Sequence, residues 1–84
     1  MIQPGSGKAL ANENKYPNVV ELAVPDGVLE IQLSRRIMNF HKSRHIQPRH
    51  GRTINRQKQI FHRWCFSDLA MARAFIDQFG GEFC

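Results

Sequence analysis

Four histidines, two cysteines and a run of nine cations are the residues of this 84-residue chain with chemistry to offer. His41 and His45 stand one helical turn apart, with His50 and His62 further on. Imidazoles among arginines can cleave RNA by acid–base catalysis, the arginines stabilising the charge that develops at phosphorus. A small basic ribonuclease is therefore one reading, a remote one because no toxin motif frames these four residues. The same spacing would let His41 and His45 share a transition metal, with His50 joining from a loop. No carboxylate stands near to orient an imidazole, and the surrounding positive charge opposes a bound cation. Histidines on a basic surface, with no metal and no cofactor, are the expectation. Cys65 and Cys84 do not form a CxxC pair, which argues against a structural zinc site. Cys65 has no partner that would make it a nucleophile, and there is neither a GxSxG elbow nor a phosphate-cradling glycine loop. No catalytic set is expected.

The cations give a stronger signal. Between Ile31 and Ser67 there is no acidic residue, while Arg35, Arg36, Lys42, Arg44, Arg49, Arg52, Arg56, Lys58 and Arg63 all fall there. The seven carboxylates lie outside that interval, and the formal net charge is +5. Such segregation predicts a positive surface that attracts a polyanion, nucleic acid first, with the nine cations contacting phosphates. Arginine outnumbers lysine, which favours bidentate contacts with phosphate or carboxylate. Arg49, Arg52 and Arg56, on a loop and a weak strand, are the foremost phosphate ligands. An interaction or assembly module, monomeric or homodimeric, that meets an acidic protein is the competing class, and a solvated basic face is the plain alternative.

Two layers of structure must carry these side chains. Gln59–Gly81 reads as an aromatic strand running into a helix. Ile60, His62, Trp64 and Phe66 alternate with Phe61, Arg63 and Cys65, so helices that cover the first set leave Phe61 beside Arg63 as the exposed stacking candidate. In so short a chain these aromatics serve first as core. Ser67 is the expected N-cap, and Leu69, Ala72, Ile76 and Phe79 form the expected stripe, widened by Ala70 and Phe75. Gly80 closes the helix at a positive φ. Leu69, Ile76, Phe79 and Trp64 are the expected core.

Upstream, Tyr16–Val24 reads as a short strand. For the segment after Pro25-Asp26-Gly27 a hairpin competes with a helix over residues 27–44 capped by Asp26. Only the helix accounts for Leu29, Leu33, Ile37 and Phe40 together. Residues 52–56 read as a weak strand that makes a hairpin with the aromatic one if residues 55–59 turn. Residues 1–15 read as a flexible tail ahead of one domain over 16–84. Both cysteines are expected as free thiols, their sulfurs approaching only if Glu82–Cys84 pairs beside the strand that holds Cys65.

The expected fold is an α+β two-layer sandwich of order β-α-β-β-α, ferredoxin-like if the three-residue end pairs as a further strand. A hydrophobic content of 42% with no stretch near the ~20 apolar residues of a membrane span points to a cytoplasmic protein. The unit RWCFSDLAMARAFIDQFGGEF resembles the C-terminal part of short uncharacterised bacterial proteins, in which an aromatic strand enters an alanine-rich helix closed by FGG. That resemblance covers about a quarter of the chain and implies no activity.

Overall fold

Seven elements follow one another along residues 6–84, the part that the computed structural model describes: α1 Ser6–Lys15, β1 Asn18–Ala23, α2 Val28–Ser43, β2 His50–Arg56, β3 Gln59–Phe66, α3 Leu69–Phe79 and β4 Glu82–Phe83. The strands form one antiparallel sheet of order β2-β3-β1-β4. Two interleaved β-α-β units, β1-α2-β2 and β3-α3-β4, make this the ferredoxin-like topology. The expected order is found, and the end pairs: Glu82 lies opposite Glu21 and Phe83 opposite Val20. The competing hairpin over residues 28–33 is excluded, since these residues are helical.

Strand alternation decides what faces what. Val20 and Leu22 of β1 and Trp64 and Phe66 of β3 point to one side of the sheet, where Ile37 and Phe40 of α2 and Ala72 and Phe75 of α3 cover them. Phe75 is the hub, its ring centroid 5.4 Å from Phe66, 5.5 Å from Phe40 and 4.9 Å from Phe79. Edge-to-face and tilted aromatic pairs of this kind add to the gain from burial itself. Trp64 is buried as expected, whereas Ile76 and Phe79 are half-buried and Leu69 is exposed. At 3.6 residues per turn, Leu69 falls about 90° from the line between Ala72 and Phe75 on which the stripe is centred. On α2 the buried stripe begins at Leu33, and Leu29 is exposed. A 16-residue helix is roughly 24 Å long against roughly 20 Å for β1, which leaves its first turn beyond the packed core.

The caps differ by one residue from expectation. Asp68, not Ser67, is the N-cap of α3, its Oδ1 accepting the Ala70 N–H at 2.8 Å. Gly27, not Asp26, precedes α2 and makes no side-chain cap. Gly80 ends α3 at φ 85°, its N–H donating to the Ile76 carbonyl. Gly81 is held more tightly, because at φ 95° a Cβ there would lie 2.7 Å from the Glu21 carbonyl oxygen. Only a bare backbone comes close enough for β4 to join β1.

Of the expected tail, residues 1–5 lie outside the described residues and Ser6–Lys15 is corrected to a helix. α1 lies against β2 on the sheet face opposite α2 and α3, tied there by Asn12 Nδ2, which donates to the His50 carbonyl at 2.8 Å, and by Glu13. The cysteines are both free. β4 pairs with β1 rather than β3, so Cys65 and Cys84 flank Val19 from opposite sides, about two strand spacings or 9–10 Å apart. That exceeds the reach of a disulfide. Among the described residues no helix is long and apolar enough to cross a membrane.

Candidate functional site

The nine cations do not share a face. Arg35, Arg36 and Lys42 ride on α2 and Arg44 is its C-cap, on one side of the sheet, whereas Arg52, Arg56 and Arg63 project from β2 and β3 on the other. Arg49 lies in the loop before β2, and Lys58 stands at the tip of the β2-β3 turn.

The three strand arginines are engaged within the fold. Arg52 Nε lies 2.9 Å from Glu13, Arg63 Nη1 lies 2.9 Å from Glu13, Arg63 Nε lies 3.1 Å from Glu21, and Arg56 pairs with Glu21. These five side chains form an alternating chain, Arg52, Glu13, Arg63, Glu21, Arg56, with one net positive charge. The carboxylates are largely enclosed, Glu13 at 10% and Glu21 at 11% side-chain exposure. The hydrogen bond from the Arg52 side chain is the largest cause that brings the Glu13 carboxyl from 4.5 down to about 2. The Arg52 backbone N–H also donates to Glu13 Oε2 at 2.7 Å. A Cβ on Gly51 would lie 2.9 Å from Glu13 Cγ and 2.9 Å from Arg63 Cβ, so the network crosses the strand where there is no side chain. Phe61, the expected stacking residue, is half-buried with the Arg56 guanidinium 4.5 Å from its ring centre. The outer sheet face thus offers one arginine-covered ring where single-strand readers use several open ones.

The histidines divide between core and surface. His41 is 1% exposed, stacked on Phe66 with ring centres 5.7 Å apart, and its Nδ1 lies 2.8 Å from the Ile37 carbonyl. A carbonyl only accepts, so Nδ1 carries the proton. Burial, outweighing this hydrogen bond, holds its pKa below the ordinary 6.5. His50 leans on Trp64 at 4.5 Å, and His45 is exposed just after α2. His50 of β2 and His62 of β3 are neighbours, burial and then the charge on His62 holding the His50 pKa below the ordinary 6.5. Among the described residues no three potential ligands gather around a metal position. Burial pushes the Cys65 thiol up to about 11, which leaves it protonated and a poor nucleophile at neutral pH.

Sequence reasoning read the outer face of α2 as basic and missed its apolar residues. Val28, Ile31, Arg35, Met38 and Lys42 recur at three- and four-residue intervals and so lie along one line of the helix, away from Leu33, Ile37 and Phe40. All five are exposed, Val28 at 68%, Ile31 at 56% and Met38 at 39%. The signal was present as a second apolar periodicity interleaved with the first. Neither Arg35 nor Lys42 has a carboxylate within ion-pair distance among the described residues. No family model, curated protein or solved structure matches this chain.

Proposed function

We propose that this chain is a small cytoplasmic interaction module whose outer α2 face docks an acidic, amphipathic segment of another protein. One observation carries the reading: apolar Val28, Ile31 and Met38 share a single helix line with Arg35 and Lys42, which have no carboxylate at ion-pair distance among the described residues. A nucleic-acid surface needs cations and stacking rings but has little use for an aliphatic stripe. A protein partner uses both, an apolar centre excluding water and charges choosing the partner. A second copy of this chain fits less well, because antiparallel α2 helices would bring Arg35 against its own counterpart. Engagement of nucleic acid by the α2 cations with Arg49 and Lys58 is the rival reading, supported by the absence of carboxylate partners for all of them among the described residues.

Fluorescence anisotropy separates the two. The probes are a labelled helical peptide with leucines at three- and four-residue spacing flanked by glutamates, a polyglutamate of equal charge, and single-stranded and duplex oligonucleotides. The amphipathic peptide is expected to bind and to retain affinity as salt rises, while Ile31→Ser with Met38→Ser weakens it on the order of tenfold. Oligonucleotide binding that exceeds peptide binding and falls linearly with log salt would transfer the function to nucleic acid. Equal binding of peptide and polyglutamate would remove the apolar stripe from the account.

A further inference from the structure

The strand arginines are paired with carboxylates and those of α2 face solvent, but Arg49 does neither. It is half-buried in the loop between α2 and β2, its guanidinium 4.9 Å from the Tyr16 ring centre and with no carboxylate at ion-pair distance among the described residues. Its backbone carbonyl accepts the Cys65 N–H at 2.8 Å, which fixes the residue beside β3. Arg49 borders a cavity of about 300 Å³ whose other walls include Tyr16, Ile46, Phe66, Met71 and Asp68. Ile46, Met71 and the edge of buried Phe66 make the lining mainly apolar, with polar Gln47, Ser67 and exposed Asp68 beside them. A second recess of about 260 Å³ shares Gln47 and Arg49 with the first and adds Lys8 and His50. Arg49 thus stands at the boundary between an apolar compartment and a basic one.

The two carry an orientation. Asp68 Oδ1 is engaged at the N-terminus of α3, yet its charge still opposes an anion beside it. An anionic group is favoured beside Arg49, whose guanidinium can offer paired N–H donors, with Lys8 in the adjoining recess. The apolar volume beside it lies at the low end of ligand sites. We propose that this cavity binds a small amphipathic anion, a flat apolar body over Phe66, Ile46 and Met71 with a carboxylate or phosphate head on Arg49. The site is separate from the outer α2 face, and the two stand or fall independently.

The test is titration of the ¹⁵N-labelled protein, followed by amide shifts, with phenylacetate, phenyl phosphate and the neutral phenylacetamide. Both anions are expected to move the amides of Arg49, Cys65, Ser67 and Met71, and the neutral probe to bind about tenfold more weakly. The preference between the two anions identifies the head group. Arg49→Met keeps an unbranched apolar stem and removes the charge. It is expected to bring the anions down to the level of the neutral probe, with the remaining spectrum unchanged. Anions that leave these amides unmoved at millimolar concentration overturn the proposal. Equal binding of phenylacetamide and phenylacetate to the unaltered protein overturns it too, a result that needs no variant to fold. Loss of peptide docking on α2 with this site intact would sink only the interaction reading.

Discussion

Glu13 and Arg63, fifty residues apart in the chain, meet at 2.9 Å on the outer face of the sheet. Through that contact and the three bonds from Arg52, a helix of modest apolar character is held to the domain. Glu13→Gln keeps the shape and removes the charge. The site lies between an exposed and a buried ion pair, so the loss is expected on the order of 1–3 kcal/mol in urea unfolding. Because the folded carboxyl titrates at about 2 rather than 4.5, its contribution is fully present above 4.5 and is lost as pH falls through 2. The variant should show a flatter midpoint profile across that window. An unchanged profile would mean that α1 is held by something other than this carboxylate.

A second acid sensitivity begins at higher pH. His41 is buried and its pKa is depressed, so the unfolded chain takes up a proton near 6.5 while the folded chain resists it. The associated stability is present above 6.5 and is lost as pH falls from there towards the folded value. In His41→Phe the ring stays beside Phe66 and the titration is gone. Thermal midpoints of the parent should therefore fall between pH 7 and 5 by more than those of the variant. Parallel curves would assign the slope to other groups.

The β2-β3 turn is a place where local preference and fold disagree. Arg56 pairs with Gln59, so the loop is Gln57-Lys58, and both residues adopt positive φ, 51° and 67°. Two-residue hairpin loops of this kind favour Asn-Gly because each central residue is left-handed. Replacing Gln57-Lys58 by Asn-Gly should stabilise by about 0.5–1 kcal/mol, seen as a higher urea midpoint at unchanged slope. A lower midpoint would show that the glutamine and lysine side chains do something that the backbone does not require.

The same disagreement explains what could be read from the residues and what could not. The β3-α3 unit and α2 were legible because Trp64, Phe66, Ile37 and Phe40 carry the periods of strand and helix in their own neighbourhoods. The hairpin turn was faint because Gln57-Lys58 lacks the residues its geometry prefers. His45 is another such case, ending α2 at φ 56° where glycine is usual, with the Ile46 N–H donating to the His41 carbonyl. Helix α1 was illegible for a different reason: its anchors are polar contacts with Arg52 and Arg63, 39 and 50 residues distant. The distribution of charge along the chain differs most from that in space. Glu13 and Glu21 lie outside the basic interval along the chain and fold back onto it, so segregation in sequence became neutralisation in space. The site that sequence did favour, Arg49, Arg52 and Arg56, is divided among a cavity wall and two ion pairs.

That division predicts two classes of cation, separable by stability alone. Arg63 is partly enclosed between two carboxylates, and Arg63→Ala leaves both Glu13 and Glu21 short of a partner in a confined place. A loss on the order of 1–3 kcal/mol is expected, between the limits for exposed and buried pairs. Arg52→Ala and Arg56→Ala should destabilise in the same direction, each by less, since both side chains are about half exposed and each touches one carboxylate. Arg35→Ala and Lys42→Ala lie on the open line of α2 and should shift stability by no more than about 0.5 kcal/mol either way. Urea unfolding of the five variants at one pH provides the comparison. If Arg35→Ala costs as much as Arg63→Ala, the outer face of α2 is committed to the fold and is not free for a partner. If Arg63→Ala is silent, the alternating chain of charges contributes nothing, and the strand arginines return to the pool available for an anionic ligand.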